Sequence, residues 1–472
     1  MSTGPCPPAP AGQPSIRTTA GRGHRTRLAR RIVSASITVM LLGALGVGAS
    51  GAHHRWSCAG QPASPQTALP VDRVRWVWTG AVTTTAATVV AEIVRPARHA
   101  RLTVTTGRAD PPVLSTAEAV GADGIVRLHV SGLTPDLNHR YVIEVDGTAD
   151  HSRGNGRFRT MPAGPATFTV AVSSCARTGS DGAVFDAIRA VGPLLYINAG
   201  DLHYGSPRRN DVTVFGDLYR RTLTAPAQAA LYRSVPIAYV WDDHDYGPDN
   251  ADATAPTRPA ARAAYATYVP HYPQPEPGRA VYQAFTVGRV RFILTDNRSE
   301  RTATTMLGAR QLTWLRQELT SASVSHAVVV WINPDPWIAT PAAGADHWGG
   351  YPDERRTIAD VIATARIHNL IMVSGDAHML AVDDGSHSDY STAGAAGFPV
   401  LQTGALDRPG SVKGGPYSHG AFPGCGQFGT ITITDDATAH VRVELAGRTW
   451  SDRILVRYRT VIDAPTAAAT PG

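Results

Sequence analysis

The sequence predicts an α/β protein in which a β-sandwich domain precedes a larger domain of alternating strands and helices. Apolar and polar residues alternate through residues 74–160, which is typical of half-buried strands joined by short turns. After a linker at residues 161–165, continuous apolar strands alternate with helical segments, which is typical of α/β folds. The length of 472 residues also exceeds what one hydrophobic core usually organises.

The amino-terminal region predicts export. Residues 1–31 are basic and proline-rich, and we expect a disordered leader. Residues 32–52 are uncharged and mostly apolar, so they suit either a cleaved secretory signal or a retained membrane anchor. Ser50 and Ala52 would suit a signal peptidase, but the run is also long enough to span a bilayer. We therefore expect an extracellular, wall-associated or membrane-anchored protein.

The first predicted domain covers residues 69–161. Short strands with frequent turns favour a β-sandwich. Residues 132–135, Gly-Leu-Thr-Pro, precede an alternating strand at residues 141–145. This arrangement resembles the corner before a late strand of a fibronectin type III-like sandwich.

The second predicted domain covers residues 166–462. Its apolar periodicity predicts helices that cover a sheet, and alternation near its end predicts closing strands. The predicted helices lie at residues 182–190, 259–268, 309–321 and 353–366, and the closing strands lie within residues 429–461.

Charge and cysteine content narrow the function classes. The formal net charge of +6 is modest, and part of it comes from arginines of the leader. No basic stripe accompanies a nucleic-acid reading module, so we expect no nucleic-acid partner. Four cysteines in a chain of this size argue against a disulfide scaffold. Cys58 and Cys425 could form a disulfide outside the cell. Cys175 is a candidate active-site residue.

Polar clusters follow six apolar strands of the second domain at their carboxyl ends, where open α/β sheets place ligands. A single Asp or His there is usually a turn former or a helix cap, but a set of such clusters favours a two-metal hydrolytic site. The clusters are Ser174-Cys175, Gly200-Asp201-Leu202-His203-Tyr204, Asp242-Asp243-His244-Asp245 with Asn250, Asp296-Asn297-Arg298, Asn333, and Gly375-Asp376-Ala377-His378.

These motifs resemble those of the PhoD-like alkaline phosphatases (the alkaline phosphatase D family) within the calcineurin-like metallophosphatase superfamily. Residues 348–356 and 406–417 are also similar to that family, and the resemblance spans residues 74–443. It implies a metallophosphatase-type β-sandwich flanked by helices, preceded by the fibronectin type III-like domain. It also implies a metal-dependent phosphoric ester hydrolase with an alkaline pH optimum.

The resemblance implies a metal role for seven residues. Cys175, Tyr204, Asp201 and His378 would hold Fe(3+), for which thiolate and phenolate are suitable ligands. Asp201 would bridge to Ca(2+) or another hard divalent ion, and the remaining oxygen ligands would be Asp243, Asn250 and Asp376. Taken alone, Cys175 could be a small core residue and Tyr204 a packed aromatic.

Two residues are predicted to act on the substrate. In the family pattern His244 lies beside the scissile phosphate as general acid or hydrogen-bond donor. Arg298 could present its planar fork to phosphate oxygens or could pair with Asp296 at the surface, and we favour the phosphate contact. The chain departs from the family at Cys425, where glycine is expected, and at Asp249, where asparagine is common.

The resulting hypothesis is in-line attack on phosphorus by a metal-bound hydroxide. The partner would be a phosphate ester, and monoesters, diesters, phospholipid head groups and wall polymers are all compatible with it. The oligomeric state is open. The alternative is a catalytically inactive surface protein that binds wall polymer on a metallophosphatase scaffold, which the complete set of ligands disfavours.

Overall fold

The structure is a computed structural model that describes residues 72–107 and 110–465. The leader at 1–31, the apolar segment at 32–52 and Cys58 lie outside these residues. Export and the pairing of Cys58 with Cys425 therefore stay predictions. Within the described ranges, no helix has the length and apolar character needed to cross a membrane.

The first part of the described chain folds as two antiparallel sheets. Strands β1, β2 and β6 pair in one of them, and β4, β3, β7 and β8 pair in the other, with β5 added to β3. Alternate side chains such as Leu102, Val104 and Ile143 are fully buried between the sheets. The predicted β-sandwich is therefore confirmed. The strands are β1 Val74–Gly80, β2 Ala86–Ile93, β3 His99–Thr105, β4 Val113–Leu114, β5 Glu118–Ala119, β6 Ile125–Ser131, β7 Asn138–Val145 and β8 Thr148–Arg159.

Asp150 ties the start of β1 to β8. Its buried carboxylate accepts backbone N–H groups of Arg73 at 2.7 Å, Val74 at 2.8 Å, and Ser152 and Arg153 at 2.9 Å. Burial raises the pKa of Asp150, but these donors outweigh burial and hold the pKa well below its usual range. The charged form of Asp150 therefore stabilises the fold.

We expect Asp150→Asn to lower the free energy of unfolding by about 3 kcal/mol, because an amide accepts fewer of these backbone donors. A depressed pKa contributes stability above the unfolded value of about 4, and that contribution is lost as pH falls. Denaturant titrations at pH 7 and pH 3 would therefore show a smaller difference for the variant than for wild type. Asp186→Asn, which removes only a surface ion pair with Arg189, should change stability by less than about 1 kcal/mol. An equal loss in both variants would contradict the role of Asp150.

The second part alternates strands and helices as predicted. A short 3-10 turn at Trp348–Gly350 precedes its last helix. The elements are β9 Phe168–Ser173, α1 Ala183–Val191, β10 Leu195–Ala199, α2 Val212–Thr224, α3 Pro226–Tyr232, β11 Ile237–Val240, α4 Asp243–Tyr246, α5 Arg258–Tyr268, β12 Gln283–Val287, β13 Val290–Leu294, α6 Gly308–Ser325, β14 Val328–Asn333, α7 Pro352–Thr364, β15 Leu370–Ser374, β16 Met379–Asp383, β17 Val400–Gln402, β18 Ala421–Pro423, β19 Gln427–Thr434, β20 His440–Thr449 and β21 Ile454–Asp463.

Two sheets pack face to face in this part. One has nine strands in the order β21-β20-β19-β9-β10-β11-β1-β2-β6, and the other has seven in the order β12-β13-β14-β15-β17-β16-β18. Val172 and Ile197 from the first sheet share one buried cluster with Ile332 and Val373 from the second. Helices α6 and α7 cover the outer face of the second sheet. The predicted sandwich flanked by helices is confirmed.

The nine-stranded sheet continues from the second part into the amino-terminal sandwich. Strand β1 pairs in parallel with β11 through Gly80 and Ile237. Trp78 of β1 is fully buried, and its indole N–H donates to the carbonyl oxygen of Tyr268 in α5 at 2.8 Å. The sandwich therefore packs on the helices of the second part. The domain boundaries at 69–161 and 166–462 stay predictions.

Candidate metal centre

The carboxyl ends of parallel strands from both sheets meet at one edge of the molecule. Cys175 follows β9, Asp201 follows β10 and Asp243 begins α4 directly after β11. Asp376 follows β15 of the facing sheet, and its backbone oxygen lies 3.7 Å from the Cys175 sulfur. The topology thus gathers side chains that are far apart in sequence.

Four of the predicted ligands have strained backbone conformations. The φ angles are 62° at Cys175, 54° at Asp201, 59° at Asn250 and 63° at Asp376. Such left-handed conformations in residues other than glycine cost about 1 to 3 kcal/mol each, and they cluster at functional sites. Gly200 allows the close approach here, because a Cβ at this position would lie 2.5 Å from the Asp242 Cβ.

The thiol of Cys175 lies beside Asp201, and the phenol of Tyr204 contacts the imidazole of His378. The Cys175 sulfur lies 3.6 Å from Asp201 Oδ2, and Tyr204 Oη lies 2.7 Å from His378 Nε2. Burial and the carboxylate of Asp201 raise the pKa values of both the thiol and the phenol. Their anionic forms therefore need a nearby positive charge, which a metal ion would provide.

Asp201, Asp243 and His244 form a second set of donors, since one potential ligand atom from each lies within 4.8 Å of the other two. The backbone N–H of His244 donates to Asp243 Oδ1 at 2.8 Å and to Asp201 Oδ1 at 3.2 Å. This shared N–H group holds the carboxylates of Asp201 and Asp243 in a fixed relative position.

Asn250 lies at the exposed border of the same group. Its backbone N–H donates to Asp243 Oδ2 at 2.6 Å, while its side-chain amide lies 3.4 Å from Asp249 Oδ2. The backbone of Asn250 thus orients a predicted ligand. The proposed coordination through its side chain stays a prediction.

Asp335, Asp346 and Asp376 form a third set within 4.8 Å. Of these three, only Asp376 was predicted from the sequence. Asp335 was missed although it follows the end of β14 in the same way as the predicted ligands follow their strands, and Asp346 was missed as well. Lys413 donates from Nζ to Asp376 and, at 3.1 Å, to Asp346. The segment at residues 406–417 therefore reaches the centre through a charged side chain.

Arg298 lies beneath this edge with a fully buried side chain. Its guanidinium donates to Asp242 at 2.5 Å, to Asp346 at 2.7 Å and to Asp335 at 3.0 Å. The alternative partner predicted for Arg298, Asp296, receives a hydrogen bond from the Arg298 backbone N–H at 3.0 Å but none from its guanidinium. The structure therefore places Arg298 where it orients carboxylates. Its predicted phosphate contact stays a prediction.

His244 is held from two sides at the opening of the centre. Its Nδ1 lies 2.6 Å from Ser206 Oγ, and its ring centroid lies 4.0 Å from that of Tyr204. Its Nε2 lies 3.6 Å from the exposed carboxylate of Asp249. With Nδ1 bonded to Ser206, Nε2 is the nitrogen that can serve a substrate.

Arg408 contributes a cationic side chain at the opening of the centre. No role was predicted for it from the sequence. Its guanidinium carbon lies 4.0 Å from the centroid of the Tyr204 ring. Among the ion pairs of the described residues, none involves Arg408, and its buried Nε has no hydrogen-bond partner there. An arginine with unpaired N–H groups beside a candidate metal ligand can bind phosphate oxygens.

The buried carboxylates at this edge of the sheets need positive charge nearby. Burial raises the pKa of Asp201 well above its usual range, and the carboxylates of Asp243 and Asp242 raise it further. Burial also raises the pKa of Asp376 to about 7, although Lys413 opposes that rise. Buried carboxylates this close are stable in their charged form only when positive charge neutralises them. The sulfur, nitrogen and oxygen donors present fit a centre with more than one metal ion.

Part of the chain is similar to known phosphatases. The family model described as PhoD-like phosphatase matches residues 207–413. Alkaline phosphatase D of Bacillus subtilis (strain 168) is 25% identical over 186 residues, which is 32% of each chain. A solved structure of PhoD matches with a TM-score of 0.65 at 15% identity, covering 81% of this chain and 92% of that chain. A purple acid phosphatase from yellow lupin (Lupinus luteus) seeds matches with a TM-score of 0.61 at 12% identity, covering 81% and 73%.

The fold is of the metallophosphatase type, as in these two solved structures. Residues 207–413 are similar to the PhoD-like phosphatase family, and this match covers less than half of the chain. The match to the curated Bacillus relative spans about a third of that protein's length. The family match includes Asp243, Asp376, His378 and Arg408 but begins after Cys175 and the residues that follow β10.

Proposed function

We propose that the chain is a metal-dependent phosphoesterase. The observation that carries this proposal is the convergence of carboxylates, a thiol, a phenol and two imidazoles at one edge of two facing sheets, on a strained backbone. Iron is proposed for the group of Cys175, Asp201, Tyr204 and His378. Calcium is proposed for the group of oxygen ligands around Asp243.

The ions, when bound, would supply Lewis acidity toward phosphoryl oxygens and an activated water nucleophile. Side chains of the protein would hold the ions, position the proton donor and orient the acidic residues. Asp201 lies between the two donor groups and can bridge them. Ser206 fixes the ring of His244, so that Nε2 can hold a proton or donate a hydrogen bond at the leaving oxygen. Arg298 keeps Asp242, Asp335 and Asp346 in place from below.

The first test is hydrolysis of a generic phosphomonoester and a generic phosphodiester by the purified full chain supplied with iron and calcium. Turnover of either ester is expected, and the ratio of the two rates would direct the search for the natural substrate. Folded protein that binds both metals but turns over neither ester would favour the alternative, a catalytically inactive binding protein.

We further propose that Arg408 contacts the phosphoryl group. Arg408→Met is expected to lower kcat/KM about 100-fold, because a charge-assisted contact to the transition state is lost. Arg408→Lys should recover only part of this, since an ammonium group lacks the planar fork. Initial rates on a phosphomonoester would measure both variants. Arg316→Met, on the exposed surface of α6, is the control, and equal kcat/KM in Arg408→Met and Arg316→Met would exclude the contact.

Export is proposed from the apolar run at residues 32–52 behind the arginines of the leader. Fractionation of the producing cells should recover the protein from the medium, the wall or the membrane, and mass spectrometry of its amino terminus would distinguish cleavage from anchoring. Recovery of the intact chain only from the cytosol would contradict export.

A further inference from the structure

Two adjoining cavities lie far from the metal centre, at the opposite ends of the strands that carry it. The larger, of about 1020 Å³, is lined by the residues that enter β9, β10 and β11 and by strands β7 and β8 of the sandwich. The smaller, of about 650 Å³, extends along the sandwich. The two share Arg140, Arg157 and Ser234 in their walls. We call them together the seam groove.

The walls of the seam groove are basic and contain no acidic residue among the residues described. Two of its arginines are neutralised from outside the groove, because Asp136 pairs with Arg159 and Asp186 with Arg189, both at 2.6 Å. The other three have no carboxylate within the 4.0 Å of an ion pair in the described chain. These three are Arg140, Arg157 and Arg233.

The fold places these three arginines close together, although their like charges repel. Arg140 of β7 and Arg157 of β8 are direct cross-strand partners, so their side chains lie on the same face. Like charges in such a pair destabilise a sheet. The backbone N–H of Arg157 donates to the carbonyl oxygen of Arg233 at 2.9 Å, which adds the third arginine. A bound anion would offset this repulsion.

The groove offers charge but little surface for stacking. Among the aromatic side chains that line it, His139 and Tyr141 are 3% exposed, Phe158 is 2% exposed and Phe168 is 6% exposed. Of the aromatic rings in the described lining, only the imidazole of His151 is exposed, and a single ring cannot stack successive bases. Single-stranded nucleic acids are usually held by bases stacked on accessible aromatic rings in addition to the charge of their backbone. The seam groove therefore suits a ligand that presents phosphates alone.

We propose that the seam groove binds a linear chain of closely spaced phosphates, held by Arg140, Arg157 and Arg233. The site is separate from the metal centre and does not rest on the proposed hydrolysis. It gives the amino-terminal sandwich a binding role in addition to its packing role.

Binding of inorganic polyphosphate to the full chain, measured by calorimetry over a series of salt concentrations, tests this proposal. Arg140→Gln/Arg157→Gln should weaken binding at least about 10-fold at 0.1 M salt and reduce the slope of log K against log salt by about 1.4. The melting temperature should stay equal or rise, because like-charge repulsion is relieved. The matched control is Arg279→Gln/Arg316→Gln, which removes two exposed arginines outside the groove.

Several results would overturn the proposal. One is unchanged affinity in the groove variant, and another is an equal loss in the control. Tighter binding of single-stranded DNA than of polyphosphate would assign the groove to nucleic acid instead. Turnover of a small phosphomonoester should be the same in wild type and groove variant, so failure of the proposed hydrolysis and failure of this binding can be told apart.

Discussion

Asp201→Asn is expected to lower kcat for phosphate-ester hydrolysis at least about 1000-fold, because it removes the carboxylate that lies between two groups of ligands. The backbone contact from His244 needs only an acceptor oxygen, which asparagine keeps. Steady-state kinetics of the purified variant with both metals supplied would measure the effect.

The same variant separates a metal role from a structural one. Asp201 is buried beside Asp243 and other carboxylates that raise its pKa, so a neutral amide should not destabilise the metal-free fold. We expect the metal-free variant to melt at or above the temperature of metal-free wild type. Asp186→Asn should retain full activity as the surface control. Near-normal turnover in Asp201→Asn would contradict the metal assignment.

Removal of the metals with a strong chelator is expected to abolish turnover and to lower the melting temperature at pH 8 by at least about 5 °C. Uncompensated carboxylates then remain buried at the edge of the sheets. Elemental analysis before chelation would report which ions are bound, and scanning calorimetry would report the melting temperature.

The size of this shift should depend on pH. In the metal-free protein, burial raises the pKa of Asp376 to about 7, above an unfolded value of about 4. The stability that this raised pKa contributes is fully present below about pH 4 and is lost as pH rises through about 7. Metal ligands must also be deprotonated to bind. The difference in melting temperature between loaded and metal-free protein should therefore grow from pH 5 to pH 8, and a constant difference would argue against bound metal at Asp376.

Much of the site could be predicted because strand ends are visible in sequence. Asp201, Asp243 and Asp376 each follow an apolar run, and the parallel order of those runs brings them to one edge. The helices at 182–190 and 259–268 were also close to the observed α1 and α5, because their apolar spacing is regular. Helix α2 was missed, although Phe215, Leu218 and Tyr219 carry the same spacing.

The contacts between distant segments could not be predicted. Arg298 follows a strand as the ligands do, so the sequence gives no sign that three carboxylates from other segments enclose its guanidinium. The position of Arg408 over Tyr204 depends on a loop that crosses from the facing sheet. Such contacts are decided by packing between the sheets, which local pattern does not encode.

The parallel pairing of β1 with β11 has a practical consequence for dissecting this protein. A chain shortened to begin after the linker would lose β1 and leave β11 as an unprotected edge strand, with an indole-sized gap where Trp78 lies against Tyr219 and Tyr232. Exposed edges of this kind recruit other strands and promote aggregation. Catalysis and solubility would then fail together, even though every residue of the metal centre would still be present.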